Sequence, residues 1–512
     1  MTPRFKIKRP PAAPRAYEFD PPTRDAGASM VSGVFNSTMA QIVKVFCQIA
    51  SVLVLSRMLS PADFGLIAMA SPVYGFVYLF QDLGLGLATV QRPNLTHAQV
   101  TFFFWLNLAI GGALALVMVM ISPLVARYYG APELGPLVAA MALLLLISAA
   151  GVQSGAILMR RMQFRALAIN GALGALAGLV AAVIAAGFLQ NHWALYFGML
   201  VGTALPALGA VIIAGWAPGR PAIPEGARSM LQFGGGVTVS NVSHFLARNV
   251  DNVLIGWRWG ETDLGLYDRA YKLLLFPLQF IAGPTMYAMA PVLSRLDKAP
   301  DEYRRIFTTA VTLLLLVIWP GVIWAMVFSA ELVPLLLGQR WSGVSAIFSA
   351  LALAGLLQVL NGAPIPLFVS QGRTNELAKW GLFHAATCLA AFVIGLPFGV
   401  VGVAIAYAVS ECVRTPLIWL YATRRGPVSF GHVIRSIAPY AAGAAAAAAS
   451  LLALRIAAPP LHGLVLLSLA LVVAYATSLA LVMTTASGRA TLGLGLRFGV
   501  DLVKRKASQK SG

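Results

Sequence analysis

The chain has 512 residues, of which 59% are hydrophobic and 11% charged, with a formal net charge of +19. That balance excludes an ordinary soluble domain, and apolar runs of roughly 20 residues, the span of a bilayer's hydrocarbon core, recur along nearly its whole length. The fold class expected is an all-α polytopic membrane protein with about fourteen transmembrane helices, because no period-2 alternation points to a β-barrel.

In chain order, residues 1–29 are polar, basic and proline-rich, without the apolar core or cleavage site of a signal peptide, and are read as a disordered cytoplasmic tail. Six spans follow within 30–215. A link at 216–229, "APGRPAIPEGARSM", has the composition of a hinge. Six more spans fill 230–422, two Ala/Leu-rich spans occupy 434–485, and 486–512 is a basic cytoplasmic tail. The tails and even-numbered loops hold 27 of the 37 Lys and Arg, and the odd-numbered loops hold 5. The positive-inside rule then puts both termini in the cytoplasm of a multi-pass protein. Topology accounts for the basic charge without nucleic acid, and the clusters "MRRMQFR", "RRG" and "KRK" suit anionic membrane lipids. Cys47, Cys388 and Cys412 each stand alone in an apolar run and are read as packing residues, with no metal spacing or disulfide framework. No cofactor is expected.

The two halves repeat. "DFGL" at 63–66 answers "DLGL" at 263–266, while "RALA" at 165–168 answers "NELA" at 375–378 and Pro206 answers Pro416. Two pseudo-symmetric six-helix bundles in the same membrane orientation are therefore expected, with two C-terminal helices added.

Charges inside the spans are the candidate functional groups, since one costs on the order of 3 kcal/mol at mid-bilayer. Asn241, His244, Arg248 and Asp251 are spaced 3, 4 and 3 apart, so they line one helix face. At an offset of 200, Gln41, Lys44, Gln48 and Ser51 form a matching stripe. Arg248 suits a phosphate because its planar fork donates two parallel hydrogen bonds. Asp268, Arg269 and Lys272 lie near the outer end of the next span. Glu411 and Arg414 are i, i+3 neighbours that form an ion pair or leave a carboxylate for a proton or cation. Asp82, in "FQDLGLG", is a further intramembrane carboxylate.

The motifs "LSRMLSPADFGLIAMA", "DLGLGLATVQR", "RNVDNVLIGWRWGETDLGLYDRAYKLLLFPLQFI" and "APVLSRL" resemble the Wzx-type polysaccharide exporters. These belong to the superfamily (MOP) that also holds multidrug (MATE) exporters and the lipid II flippase, and the colanic-acid (WzxC-like) branch looks most similar. The resemblance covers about residues 30–425. It implies alternating access between two bundles and a flippase rather than an enzyme. The cargo implied is a polyprenyl-pyrophosphate-linked oligosaccharide, moved across a bacterial inner membrane. The motif matches fall on Asp63, Gly65, Asp82, Gly84, Arg248, Asp251, Gly256, Gly265 and Tyr267. Substrate-binding candidates are then Arg248, Lys44, Arg269, His244, Asn241 and Gln48. Ion-coupling or gating candidates are Asp251, Asp82, Glu411 and Arg414, with H+ or Na+ as the coupling ion. A polysaccharide polymerase and a chain-length regulator are the expected partners. The alternatives are a MATE-like drug antiporter, which should favour carboxylates over cations, and a membrane glycan polymerase or ligase, which needs a large periplasmic loop.

Overall fold

In a computed structural model the chain is described over residues 26–81, 84–91, 95–223, 235–296, 298–457, 463–485, 488–491 and 493. Every regular element among the described residues is helical. Among the described residues, eleven segments are long and apolar enough to cross a membrane; about fourteen spans were expected for the whole chain. Two of these segments, Asn249–Ser294 and Thr374–Ala422, run for 46 and 49 residues, and each is divided by a glycine kink, at Gly260 and Gly399. Pro61–Tyr78 and Leu85–Gln91 are shorter helices, of 18 and 7 residues.

The chain forms two compact units, Met1–Glu261 and Thr262–Gly512. Unit 1 contains α1 (Ala26–Met58), α2 (Pro61–Tyr78), α3 (Leu85–Gln91), α4 (His97–Tyr129), α5 (Leu134–Arg160), α6 (Phe164–Leu189), α7 (Trp193–Ala214) and the start of α8 (Gly235–Pro277). Local chemistry sets several of these ends. Ser60 caps α2, its hydroxyl accepting the Asp63 N–H at 3.3 Å while the Asp63 carboxylate accepts the Ser60 N–H at 2.9 Å. This reciprocal cap gives Asp63 of the "DFGL" motif a structural role. Thr96 and Gln99 repeat the arrangement at the start of α4. Gly65 has a different reason to be glycine: a Cβ there would lie 1.7 Å from the backbone carbonyl oxygen of Glu261. In α6 and α7, Gly174 and Gly178 meet Gly198, Gly202 and Pro206 at backbone-to-backbone distance, a seam of small residues typical of membrane helices.

The start of the 216–229 link is docked. Trp216 is buried among Leu95, Val100, Phe103 and Ile157. The Gly219 N–H donates to the Thr101 hydroxyl at 3.2 Å, and the Gly219 carbonyl accepts the Trp105 indole N–H at 2.9 Å. Residues 224–234 lie outside the described residues.

Unit 2 holds the end of α8, then α9 (Gly283–Ser294), α10 (Pro300–Val327), α11 (Ser329–Leu337), α12 (Val344–Gly362), α13 (Ile365–Ser370), α14 (Thr374–Gly395), α15 (Gly399–Ala422), α16 (Phe430–Ala457) and α17 (Gly463–Met483). The internal repeat is visible in helix starts: α5 and α12 begin at 134 and 344, α6 and α14 at 164 and 374. An arginine closes the C-terminal end of α7 in the first half and of α15 in the second. Arg161 donates to the Ala214 carbonyl at 2.8 Å, and Arg373 to the Ala422 and Tyr421 carbonyls at 2.7 and 3.1 Å. These C-terminal carbonyls lack intrahelical partners, so a cation there is stabilising. Long helical runs are broken at two glycines with nearly the same backbone, Gly260 (φ 82, ψ −175) in α8 and Gly399 (φ 80, ψ −176) before α15. Only glycine adopts that conformation without strain. α16 and α17 dock on α10, where the Trp324 indole donates to Leu467 O at 3.0 Å and the Tyr475 hydroxyl to Val317 O at 2.6 Å.

Candidate substrate and coupling sites

The 3-4-3 stripe falls on α8, as the spacing predicts, so positions 241, 244, 248 and 251 share one face. The side chains of Asn241, His244 and Arg248 lie outside the described residues. Asp251 is 5% exposed, and its Oδ1 accepts the Asn252 N–H at 2.9 Å. On α1, Gln41, Lys44 and Gln48 are exposed, as are Ile42 and Phe46, while Ala40 and Cys47 are buried. The Lys44 side chain lies over Gly171 of α6. A Cβ at Gly171 would come within 2.7 Å of Lys44 Nζ. The ammonium position therefore depends on that glycine.

Asp268, Arg269 and Lys272 form one cluster on α8. Asp268 and Arg269 are each 7% exposed. Asp268 Oδ2 lies 2.8 Å from Lys272 Nζ and 3.6 Å from an Arg269 Nη2. Arg269 thus shares one carboxylate with Lys272. Asp82 lies outside the described residues.

The most complete polar cluster lies inside unit 2, between α12, α14 and α15. Glu411 and Arg414, each 1% exposed, form the ion pair that their i, i+3 spacing allows. The other Glu411 oxygen accepts the Asn361 amide. Arg414 Nη1 donates to the Thr387 hydroxyl at 3.1 Å and to Cys388 Sγ at 3.0 Å. Its guanidinium carbon stands 5.6 Å from the centre of the Tyr407 ring, whose hydroxyl accepts the Gln358 amide at 2.9 Å. His384 Nε2 lies 3.6 Å from Cys388 Sγ. The reading of all three cysteines as lone packing residues is corrected for Cys388. Its polar neighbours come partly from a different helix, where linear spacing carries no signal.

Unit 1 holds a second buried set. The Thr89 hydroxyl donates to Gln153 Oε1 at 2.9 Å, Arg160 donates to the Thr89 carbonyl at 2.9 Å, and Gln81 donates to the Leu145 carbonyl at 3.2 Å. Asn107 is fully buried, and neither its amide oxygen nor its nitrogen has a hydrogen-bond partner. Sequence reading passed over Asn107, Gln153, Asn361 and His384. Asn107, Gln153 and Asn361 stand alone in apolar runs, so their signal was rarity inside spans, whereas His384 carries an i, i+4 spacing to Cys388. A separate cleft of about 620 Å³ between the end of α4 and the start of α5 is lined by Pro123, Arg127, Pro132 and Pro136 among others.

The fold defines the class. It superposes on the lipid II flippase MurJ in its inward closed conformation with a TM-score of 0.69, covering 88% of this chain and 98% of that one at 11% identity. It superposes on an inward-facing multidrug resistance MATE family transporter of the MOP superfamily at 0.59, covering 76% and 97% at 15% identity. This is the polytopic helical fold of those transporters. A family model described as polysaccharide biosynthesis protein matches residues 54–346, more than half of the sequence. The chain belongs to that family of polysaccharide biosynthesis membrane proteins, as its resemblance to the Wzx-type exporters implies. It is 23% identical over 393 residues to the lipopolysaccharide biosynthesis protein WzxC of Escherichia coli (strain K12), covering 76% of this chain and 79% of that protein. It is 27% identical over 377 residues to the succinoglycan biosynthesis transport protein ExoT of Rhizobium meliloti (strain 1021), covering 73% and 74%.

Proposed function

We propose that the protein is a flippase that carries a polyprenyl-pyrophosphate-linked oligosaccharide from the cytoplasmic to the periplasmic leaflet of a bacterial inner membrane. The product feeds exopolysaccharide, capsule or lipopolysaccharide assembly. The observation that carries this reading is family membership joined to the MurJ-like fold. Such a cargo has a pyrophosphate and a glycan to shield while its tail stays in lipid. Arg248 binds the pyrophosphate through its planar fork, assisted by Lys44 over Gly171. His244, Asn241 and Gln48 hydrogen-bond the glycan, and Arg269 joins when it releases Asp268. H+ or Na+ drives the return step through Asp251, Asp82 or Glu411, the last only when freed from Arg414. The cation or proton shifts the equilibrium between states only by binding them unequally. The two halves rock about the 216–229 link, both termini face the cytoplasm, and the glycan passes to a polymerase and its chain-length regulator. The chain is a transporter and catalyses no bond chemistry.

Deletion of the gene is expected to abolish surface polysaccharide and to accumulate lipid-linked oligosaccharide on the cytoplasmic leaflet. Normal surface glycan, with new drug sensitivity instead, would point to drug extrusion. In complementation, Arg248→Ala abolishes export at normal membrane abundance and Arg248→Lys restores part of it. Wild-type export by Arg248→Ala removes the pyrophosphate role.

A further inference from the structure

Unit 2 contains a donor set that cargo binding does not use. His384 and Cys388 sit one turn apart on α14, and Glu411 of α15 faces them. The imidazole nitrogen, thiol sulfur and a carboxylate oxygen all lie within 4.8 Å of one another. The Nε2 to Sγ distance is 3.6 Å. A tetrahedral ion with nitrogen at about 2.1 Å and sulfur at about 2.3 Å needs those two atoms about 3.6 Å apart. The i, i+4 spacing on one helix therefore presets the pair, and the carboxylate closes by a side-chain rotation.

A charge already competes for this place. Arg414 donates to Cys388 Sγ at 3.0 Å and to Glu411, so its guanidinium contacts two of the three donors. The geometry points to a binding site for a thiophilic divalent cation, of the zinc or cadmium class, formed by His384, Cys388 and Glu411 and opened when Arg414 leaves Cys388. One nitrogen, one sulfur and one carboxylate donor favour such ions over sodium or magnesium, which prefer oxygen shells. On binding, the Cys388 S–H bond breaks, its electron pair coordinates the metal, and the proton passes to solvent. The bound ion ties α14 to α15 and arrests motion between them. The binding site stands independently of the flippase reading; only the arrest of transport rests on it.

The test uses the purified full-length protein in nanodiscs, titrated with cadmium and followed by the thiolate-to-cadmium absorption band. A Cys412→Ser background removes the exposed thiol beside Glu411. The expected result is one saturable band that disappears when Cys388→Ser is added. His384→Gln weakens binding at least tenfold. Arg414→Gln tightens it at least tenfold, and Arg414→Lys, whose ammonium lacks the guanidinium's reach and fork, tightens it less. A band that survives Cys388→Ser overturns the site. Unchanged affinity in the Arg414 variants overturns the competition, and Arg414→Lys decides that point alone if Arg414→Gln does not fold. In reconstituted vesicles, zinc slows translocation of a lipid-linked glycan by wild type and not by Cys388→Ser. Full-rate translocation with the site loaded overturns the arrest, whereas no translocation without metal counts against the flippase reading instead.

Discussion

The helix α5 and the α12–α13 pair cover the same stretch of the two repeats, 27 residues each, 134–160 and 344–370. In unit 1 the stretch is one continuous helix with Ser154 and Gly155 in its last third. In unit 2 the corresponding positions are Pro364 and Ile365, and the helix breaks after Gly362. Proline removes a hydrogen-bond donor and disfavours helix at the preceding residue, which explains the break. Each stretch carries a side-chain amide in a polar contact: Gln153 meets Thr89 in unit 1, and Asn361 meets Glu411 in unit 2. At the offset of 210, Gln153 falls on Ala363 and Glu411 on Val201, so the two polar sets arose at different positions of the repeat. Amides and a hydroxyl lie at the middle of the first set, with Arg160 at its edge, whereas the second is built on a buried ion pair.

This difference gives opposite expectations for mutation. The largest effect belongs to Glu411→Ala, which leaves Arg414 buried without its carboxylate. A loss of about 3–5 kcal/mol is expected, read as a lower unfolding temperature and reduced membrane abundance, and adding Arg414→Met should restore most of it. A single variant as stable as wild type would mean that the pair does not hold unit 2 together. An intermediate effect is expected from Gly171→Ala in unit 1. The new methyl displaces the flexible end of Lys44 rather than backbone, so stability should change by less than about 0.5 kcal/mol. Glycan translocation should nevertheless fall several-fold; an unchanged rate would detach Lys44 from cargo binding. The smallest effect is expected from Asn107→Leu. It replaces a buried amide without hydrogen-bond partners by an apolar group of similar size, so stability should hold or rise by up to about 1 kcal/mol. A loss as large as that of Glu411→Ala would erase the contrast between the two clusters.

Much of the architecture was legible in the sequence because the bilayer imposes a length and a polarity on every span. The repeat was legible too, through "DFGL" and "DLGL", and the structure adds reasons for the motif: Asp63 caps α2, and Gly65 admits the Glu261 backbone. The Glu411–Arg414 pair could be read from i, i+3 spacing because both partners share one helix. Its extension to Asn361, Thr387 and Cys388 could not, since those residues lie on α12 and α14 and meet only when the helices pack. The cause of the kinks at Gly260 and Gly399 is a positive-φ backbone, which hydropathy does not report.

By itself, then, the sequence determined the helical class, the internal repeat and the polar stripe at positions 241, 244, 248 and 251, because each depends on spacing along one chain. Tertiary structure alone decided that Cys388 sits against Arg414, that Lys44 rests on Gly171 and that Trp216 is buried beside Leu95, Val100 and Phe103. Those outcomes depend on which helix faces meet. That choice follows from side-chain volume and close packing across helices, quantities that a linear pattern does not carry.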